Sequence, residues 1–388
     1  MFELRYGNTI ILDVNFSETT PELLEKLQEA VNRGYINLIF NEYFNNTIDC
    51  FDILNIEYIS FGSSFNQPIN KISQTVKTIQ FGNKFNQPIT SLSLFENIES
   101  IVFGNDFNQP IAGNLPKNLK KLTLKTNFNQ ELIDLPESLE SLHFYSSFYD
   151  KTLNNLPNNM HTLYLGSGYN IPITNYPQLT YLYLSYNYNQ NIDNLPNSLI
   201  YLQLGEEFNT PISKYPDNLI EVYFGHKFNQ PINNLPKKLQ RLIINQDFNQ
   251  PIDNLPDSLE VITFLDCKYF NQPLTNLPLH LRELHLPGLY NNTLDFLPGG
   301  LNMLTIGRHF NQPLDNLPHL KILNINSYEY NHNLDNIPDS IEQLKLPVEY
   351  DIEITKLPAN LKEIKCNKKY KYQDIFKQNN IVITYVFY

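Results

Sequence analysis

A block of the form Leu-Pro-x-x-Leu-x-x-Leu-x-Leu-Gly-x-x-Phe-Asn-Gln-Pro-Ile recurs along the whole chain. Its period of about 20 residues leaves room for little beyond one short strand and its return, so the chain is expected to coil into a stack of near-identical turns. The aromatic anchor of the block falls at Phe44, Phe65, Phe85, Phe107, Phe128, Phe148, Tyr169, Tyr188, Phe208, Phe228, Phe248, Phe270, Tyr290, Phe310, Tyr330, Tyr350 and, in degenerate form, Tyr370. Each turn of such a stack touches only its neighbours, and an unbroken repeat therefore reads as one elongated domain without an internal boundary.

Within a unit, Leu242 and Ile244 are two residues apart and follow Leu239. Alternation puts them on the same face of a short strand. Ile98, Ile101 and Phe103 keep this offset, as do Leu119, Leu122 and Leu124 and, further on, Leu219, Val222 and Phe224. Stacked in register, these segments predict a mainly β, leucine-rich-repeat-like solenoid of about 17 repeats with a parallel sheet on its concave face. The Gly that follows the strand at Gly62, Gly82, Gly104, Gly166, Gly205, Gly225 and Gly307 is read as letting the chain turn without a Cβ clash. Phe248 and its equivalents turn into the core, and the Asn after each predicts a buried ladder of amides bonded to the adjacent turn. Prolines such as Pro68, Pro88, Pro231 and Pro251 forbid a helix between strands and leave extended segments and tight turns.

A lone repeat cannot bury enough to stand by itself, so the ends of the stack need caps. Residues 1–34 supply a short strand and a helix: Thr20 is an N-cap, Pro21 opens the first turn with Glu22, Leu23, Leu24, Leu27 and Val31 have helical spacing, and Gly34 is the stop. The repeats occupy 35–375. Residues 376–388, with the run Ile381 to Tyr388, read as a closing strand.

Lys and Arg are dispersed, with no long basic run, through a chain of net charge -12. Binding to nucleic acid or to an anionic membrane therefore has no electrostatic source. Three cysteines in distant repeats, Cys50, Cys267 and Cys366, make no disulfide framework, and a cytoplasmic location is expected. The run Thr9 to Leu12 is too short for a signal-peptide core, and no apolar stretch approaches the ~20 residues of a membrane span. Sequons at Asn15-Phe16-Ser17, Asn45-Asn46-Thr47 and Asn291-Asn292-Thr293 carry little weight in so Asn-rich a chain.

The search for chemistry yields no catalytic, cofactor-binding or metal-binding residue, and the chain is read as a non-enzyme with no cofactor. His143 and His285 stand in the same outward column, but seven repeats at ~4.8 Å per strand separate them by roughly 34 Å. His161, His226, His309 and His332 stand alone without ligand spacing. Gly166-Ser167-Gly168 stops short of a phosphate loop, and no cysteine has a histidine in repeat register.

Variation concentrates where side chains have no core duty, on the outward positions of the strands. The column between the last two core positions carries His143, Tyr164, Tyr183, Gln203 and Tyr223, and the column beside it Tyr181, Tyr201, Glu221 and Arg241. Tyr164, Tyr181, Tyr183, Tyr201, Tyr223 and Arg241 are the partner-binding candidates, since Tyr and Arg are the residue types that dominate interfaces. The competing explanation is that tyrosine favours strands wherever it stands, and this chain has 25 of them.

The pattern LxxLxLxx(F/Y)NxPI with Leu-Pro-x-x-Leu, and the Phe-Asn-Gln-Pro strings at 65–68, 85–88, 107–110, 228–231, 248–251, 270–273 and 310–313, resemble the FNIP repeat, a variant of the leucine-rich repeat. The resemblance covers about residues 35–375. FNIP proteins occur in amoebae and in the large DNA viruses that infect them, and some carry an N-terminal F-box that recruits a ubiquitin ligase. Residues 1–34 offer one helix where an F-box needs several, and no F-box is visible. The resemblance implies a scaffold that binds a protein partner, in the host cytoplasm if the source is viral. A ubiquitin-ligase substrate receptor and a carbohydrate-binding surface are the alternatives.

Overall fold

The computed structural model describes residues 2–5, 7–12 and 21–386, in two compact units, Met1–Gln190 and Asn191–Tyr388. The first unit opens on an antiparallel pair, β1 (Phe2–Arg5) and β2 (Thr9–Leu12). Helix α1 (Pro21–Asn32) buries Leu23, Leu27, Ala30 and Val31, the residues that fall on one face at helical spacing. Gly34 ends it at φ 93°, with its N–H bonded to the Val31 carbonyl. Thr20, read above as the N-cap, and the Asn15 sequon lie outside the described residues.

Strands β3 (Asn37–Phe40), β4 (Tyr58–Ser60), β5 (Thr78–Gln80), β6 (Ser100–Val102), β7 (Lys121–Leu124), β8 (Ser141–Phe144), β9 (Thr162–Leu165) and β10 (Tyr181–Tyr183) follow. From β2 onward each pairs parallel with the next in chain order. The register lines up Ile59, Ile79, Ile101, Leu122, Leu142, Leu163 and Leu182, all essentially inaccessible.

The second unit repeats this plan with β11 (Tyr201–Gln203), β12 (Glu221–Tyr223), β13 (Arg241–Ile244), β14 (Val261–Phe264) and β15 (Glu283–His285). It continues with β16 (Met303–Ile306), β17 (Ile322–Ile325), β18 (Gln343–Lys345), β19 (Glu363–Asn367) and β20 (Val382–Val386). These too pair parallel in order, with Leu202, Val222, Leu242, Ile262 and Leu284 in one buried column. Before β20 the chain makes a short helix, α2 (Asp374–Gln378), which buries Phe376 against Tyr370, ring centroids 5.9 Å apart. Five residues are too few for a 3.6-residue period to show in the sequence. Phe387 and Tyr388 lie outside the described residues.

The fold is a mainly β, parallel-sheet solenoid of about 18 turns. Anchor rings stack behind the sheet: Phe65 lies 5.9 Å from Phe85 at 7°, Phe85 6.0 Å from Phe107, and Phe228 6.4 Å from Phe248 at 3°. Neighbouring turns share these contacts, so each ring stabilises two interfaces.

Three readings need correction. Phe148 is not an anchor: it is 76% exposed, and Tyr149 takes the buried place at 3%. Four residues, Tyr145 to Phe148, separate Phe144 from Tyr149, where three, Lys125 to Asn127, separate Leu124 from Phe128, and the extra residue moves the anchor on by one. The glycines after the strands serve close stacking, not the turn. A Cβ on Gly82 would stand 1.8 Å from the Gly62 carbonyl oxygen, and one on Gly225 1.9 Å from that of Gly205, while neither glycine has a left-handed φ. The asparagine ladder is half-buried or exposed, because it runs along the edge where each turn leaves the anchor. It does run turn to turn: the Oδ1 of Asn45, Asn66, Asn86 and Asn108 each accepts the backbone N–H of the equivalent Asn in the next turn.

Candidate functional surface

The outward face of the first unit carries a run of touching rings. On β9 and β10, Tyr164 and Tyr183 are register partners with ring centroids 5.5 Å apart. His143 on β8 is Tyr164's partner on the other side at 6.0 Å. Tyr145, just beyond β8, closes on Tyr164 at 4.8 Å and on His143 at 6.3 Å. Tyr181, in the adjoining column opposite Thr162, is 44% exposed, and Tyr186 and Phe148 stand out from the following loops at 50% and 76%.

Burial, and after it the charge of Lys121, holds the His143 imidazole below its ordinary value, so the ring is neutral near pH 7. Burial, and then Tyr164, pushes the Tyr145 phenol up. The cluster is thus an uncharged, amphipathic patch with rings for contact and polar tips for hydrogen bonds.

In the second unit, Tyr201, Glu221 and Arg241 form one register column and Tyr223 stands in the next. The Tyr201 hydroxyl donates to Gln203 Oε1 at 3.2 Å, and the Tyr223 hydroxyl accepts from Asn245 Nδ2 at 3.3 Å. Arg241 Nε lies 3.6 Å from Glu221 Oε2 on an exposed face, a geometry that contributes little stability. Ile243, in register between Tyr223 and Thr263 in the same column, is buried. Tyr164 and Tyr183 are therefore in ring contact, while Tyr201, Tyr223 and Arg241 are held by polar neighbours of their own unit.

Sequence reasoning passed over Tyr145, read Phe148 as a buried anchor, and placed His143 in the outward column without counting it among the partner-binding candidates. The longer loop between Phe144 and Tyr149 was the available signal. Among the described residues no group of His, Cys, Asp or Glu is placed to hold a metal ion. The Cys267 and Cys366 thiols are buried and burial pushes both up, away from the reactive thiolate. Among the described residues no helix is long and apolar enough to cross a membrane.

A stack of short parallel strands with a regular outward face defines a leucine-rich-repeat-like protein, a class that is typically non-enzymatic and mediates protein–protein contact. The chain carries FNIP repeats: the profile described as FNIP Repeat matches residues 85–127, 128–168, 188–227 and 228–267. It is similar to CroV588 of the giant virus CroV, described as a novel circular LRR protein structure, at 29% identity and a TM-score of 0.77 over 90% of this chain. The match spans 59% of that protein's length. YopM from Yersinia enterocolitica WA-314 aligns at 15% identity and a TM-score of 0.42, over 92% of this chain and 96% of its own. No curated protein sequence matches the chain.

Proposed function

We propose that the chain is a non-catalytic scaffold that binds a protein partner on the outward, concave face of its sheet. The observation that carries this reading is the ring cluster of His143, Tyr145, Tyr164 and Tyr183, with exposed Tyr181 beside it. These side chains do no core work, since the leucines between them face inward, and large rings held by their neighbours lose little freedom when a partner covers them. Tyr201, Tyr223 and Arg241 offer the same chemistry on the second unit, where Gln203 and Asn245 hold the two phenol groups.

The test is capture from host lysate by the parent chain, by Tyr164→Ser/Tyr183→Ser, by Tyr201→Ser/Tyr223→Ser and by the control Ser60→Ala/Thr78→Ser on outward strand positions, with bound proteins identified by mass spectrometry. The tyrosine pairs should lose about 2 kcal/mol or more of binding with little change in melting temperature. If every variant captures what the parent does, the concave-face reading fails. A cullin adaptor among the captured proteins replaces it with the ligase-receptor reading, and retention on an oligosaccharide matrix replaces it with a carbohydrate surface.

A further inference from the structure

The strand-exit edge of the second unit holds a second surface, independent of the tyrosine cluster. Five residues, Leu265 to Tyr269, separate Phe264 from Phe270, where three, Asn245 to Asp247, separate Ile244 from Phe248. The longer loop is pinned from beneath by Cys267, 2% exposed, whose thiol donates to the Phe248 carbonyl at 3.3 Å. Its second residue, Asp266, sits at φ 45°, a conformation that favours glycine. What the loop gains from this arrangement is display, since Leu265 is 39% exposed and Tyr269 60%.

Two further apolar side chains continue the line from later turns, Leu289 at 48% and Tyr328 at 47% exposure. Together they border a groove of about 890 Å³. Its lining comes from the turns of β13 through β18, six strands in succession, which gives a trough about 20 to 25 Å long at ~4.8 Å per strand. That length matches roughly seven extended residues at ~3.3 Å each, and an open trough favours a chain over a compact small molecule. Thr263, His285 and Thr305 supply polar groups along it, with His285 Nδ1 3.0 Å from the Thr305 hydroxyl.

Charge decides the occupant. In a chain of net charge -12, the groove is lined by Lys268 and Arg308, neither of which has an ion-pair partner among the described residues, against one carboxylate, Asp266. His309, the other base at this edge, is paired with Glu329 at 3.1 Å. We infer that this groove binds an extended peptide segment in which acidic and apolar side chains alternate. Alternation sends one set toward Leu265, Tyr269, Leu289 and Tyr328 and the other toward Lys268 and Arg308.

Gly288 gives a clean way to close the groove. It lines it, and a Cβ added there meets nothing within 4 Å, without a left-handed φ to oppose a side chain. Fluorescence anisotropy of the full chain with a labelled heptapeptide of alternating Leu and Glu should show binding. Gly288→Phe and the double reversal Lys268→Glu/Arg308→Glu should each weaken it about tenfold or more, and an alternating Leu and Lys peptide should bind at least about tenfold less tightly than the Leu and Glu one. Melting curves establish that each variant is folded, and if Gly288→Phe is not, the charge reversal on two exposed side chains decides. No binding of the Leu and Glu peptide, equal binding by the variants, or equal binding of the Leu and Lys peptide overturns the proposal. So does maltoheptaose binding in the peptide's place with the same sensitivity to both variants.

Discussion

The side-chain oxygen of Asn86 accepts the backbone N–H of Asn108, one turn further along, at 3.0 Å. The same Oδ1 also receives the Gln109 side-chain amide at 3.1 Å, so a single acceptor serves two donors of the next turn. Asn86→Ala removes both bonds and leaves the Asn108 N–H half-buried without its acceptor. The expected cost is about 1 to 3 kcal/mol by denaturant unfolding, with faster amide exchange at Asn108. Unchanged exchange at that amide would mean the ladder does not hold the turns.

Gly82→Ala should be far more damaging than its size implies. The new methyl would lie 1.8 Å from the Gly62 carbonyl oxygen, backbone that cannot rotate away, so the two turns must part. A loss of about 3 kcal/mol or more is expected, against a change within about 0.5 kcal/mol for Gly299→Ala, whose Cβ meets nothing within 4 Å. Thermal melting of the two variants side by side checks the contrast.

The contrast also marks what the sequence conveys. Offsets such as Leu239, Leu242 and Ile244 expose the buried columns directly, because alternation within one strand is a local property. The reason for Gly82 is not local: its neighbour is Gly62, and the contact exists only after the turns have stacked. Phe148 misled because the extra residue in its loop is followed by a second aromatic, Tyr149, and either ring satisfies the pattern. At the candidate surface, the columns holding Tyr164, Tyr183, Tyr201 and Tyr223 could be counted out. The approach of Tyr145 to Tyr164 and the bond from Asn245 to Tyr223 depend on loop path and rotamer, which spacing does not encode.

Tyrosine and phenylalanine alternate as anchors, and the difference can be measured. The Tyr330 hydroxyl is buried with no hydrogen-bond partner among the described residues, and burial pushes its phenol up. Tyr330→Phe should therefore be neutral or stabilising by up to about 1 kcal/mol, since no bond is lost and a desolvated hydroxyl is removed. Phe248→Ala, in a fully buried ring flanked by Phe228 and Phe270, should cost about 3 to 5 kcal/mol. Comparable melting temperatures for the two variants would remove the ring stack from the account of stability.

The last prediction concerns pH. His143 has an ordinary value of 6.5 that burial, and then Lys121, lowers in the folded chain. As pH falls, the unfolded chain takes up the proton first, so the unfolded state binds more protons in the window just below 6.5. Stability from this residue is complete above that window and is lost as pH falls through it, levelling off below the folded value. Between about pH 7 and pH 5 the parent chain should lose more melting temperature than His143→Gln, and Lys121→Met should reduce the difference by removing the second cause. A parent and a His143→Gln variant with parallel profiles would show that the imidazole is fully solvated, and the ring cluster around Tyr164 would then be looser than its contacts imply.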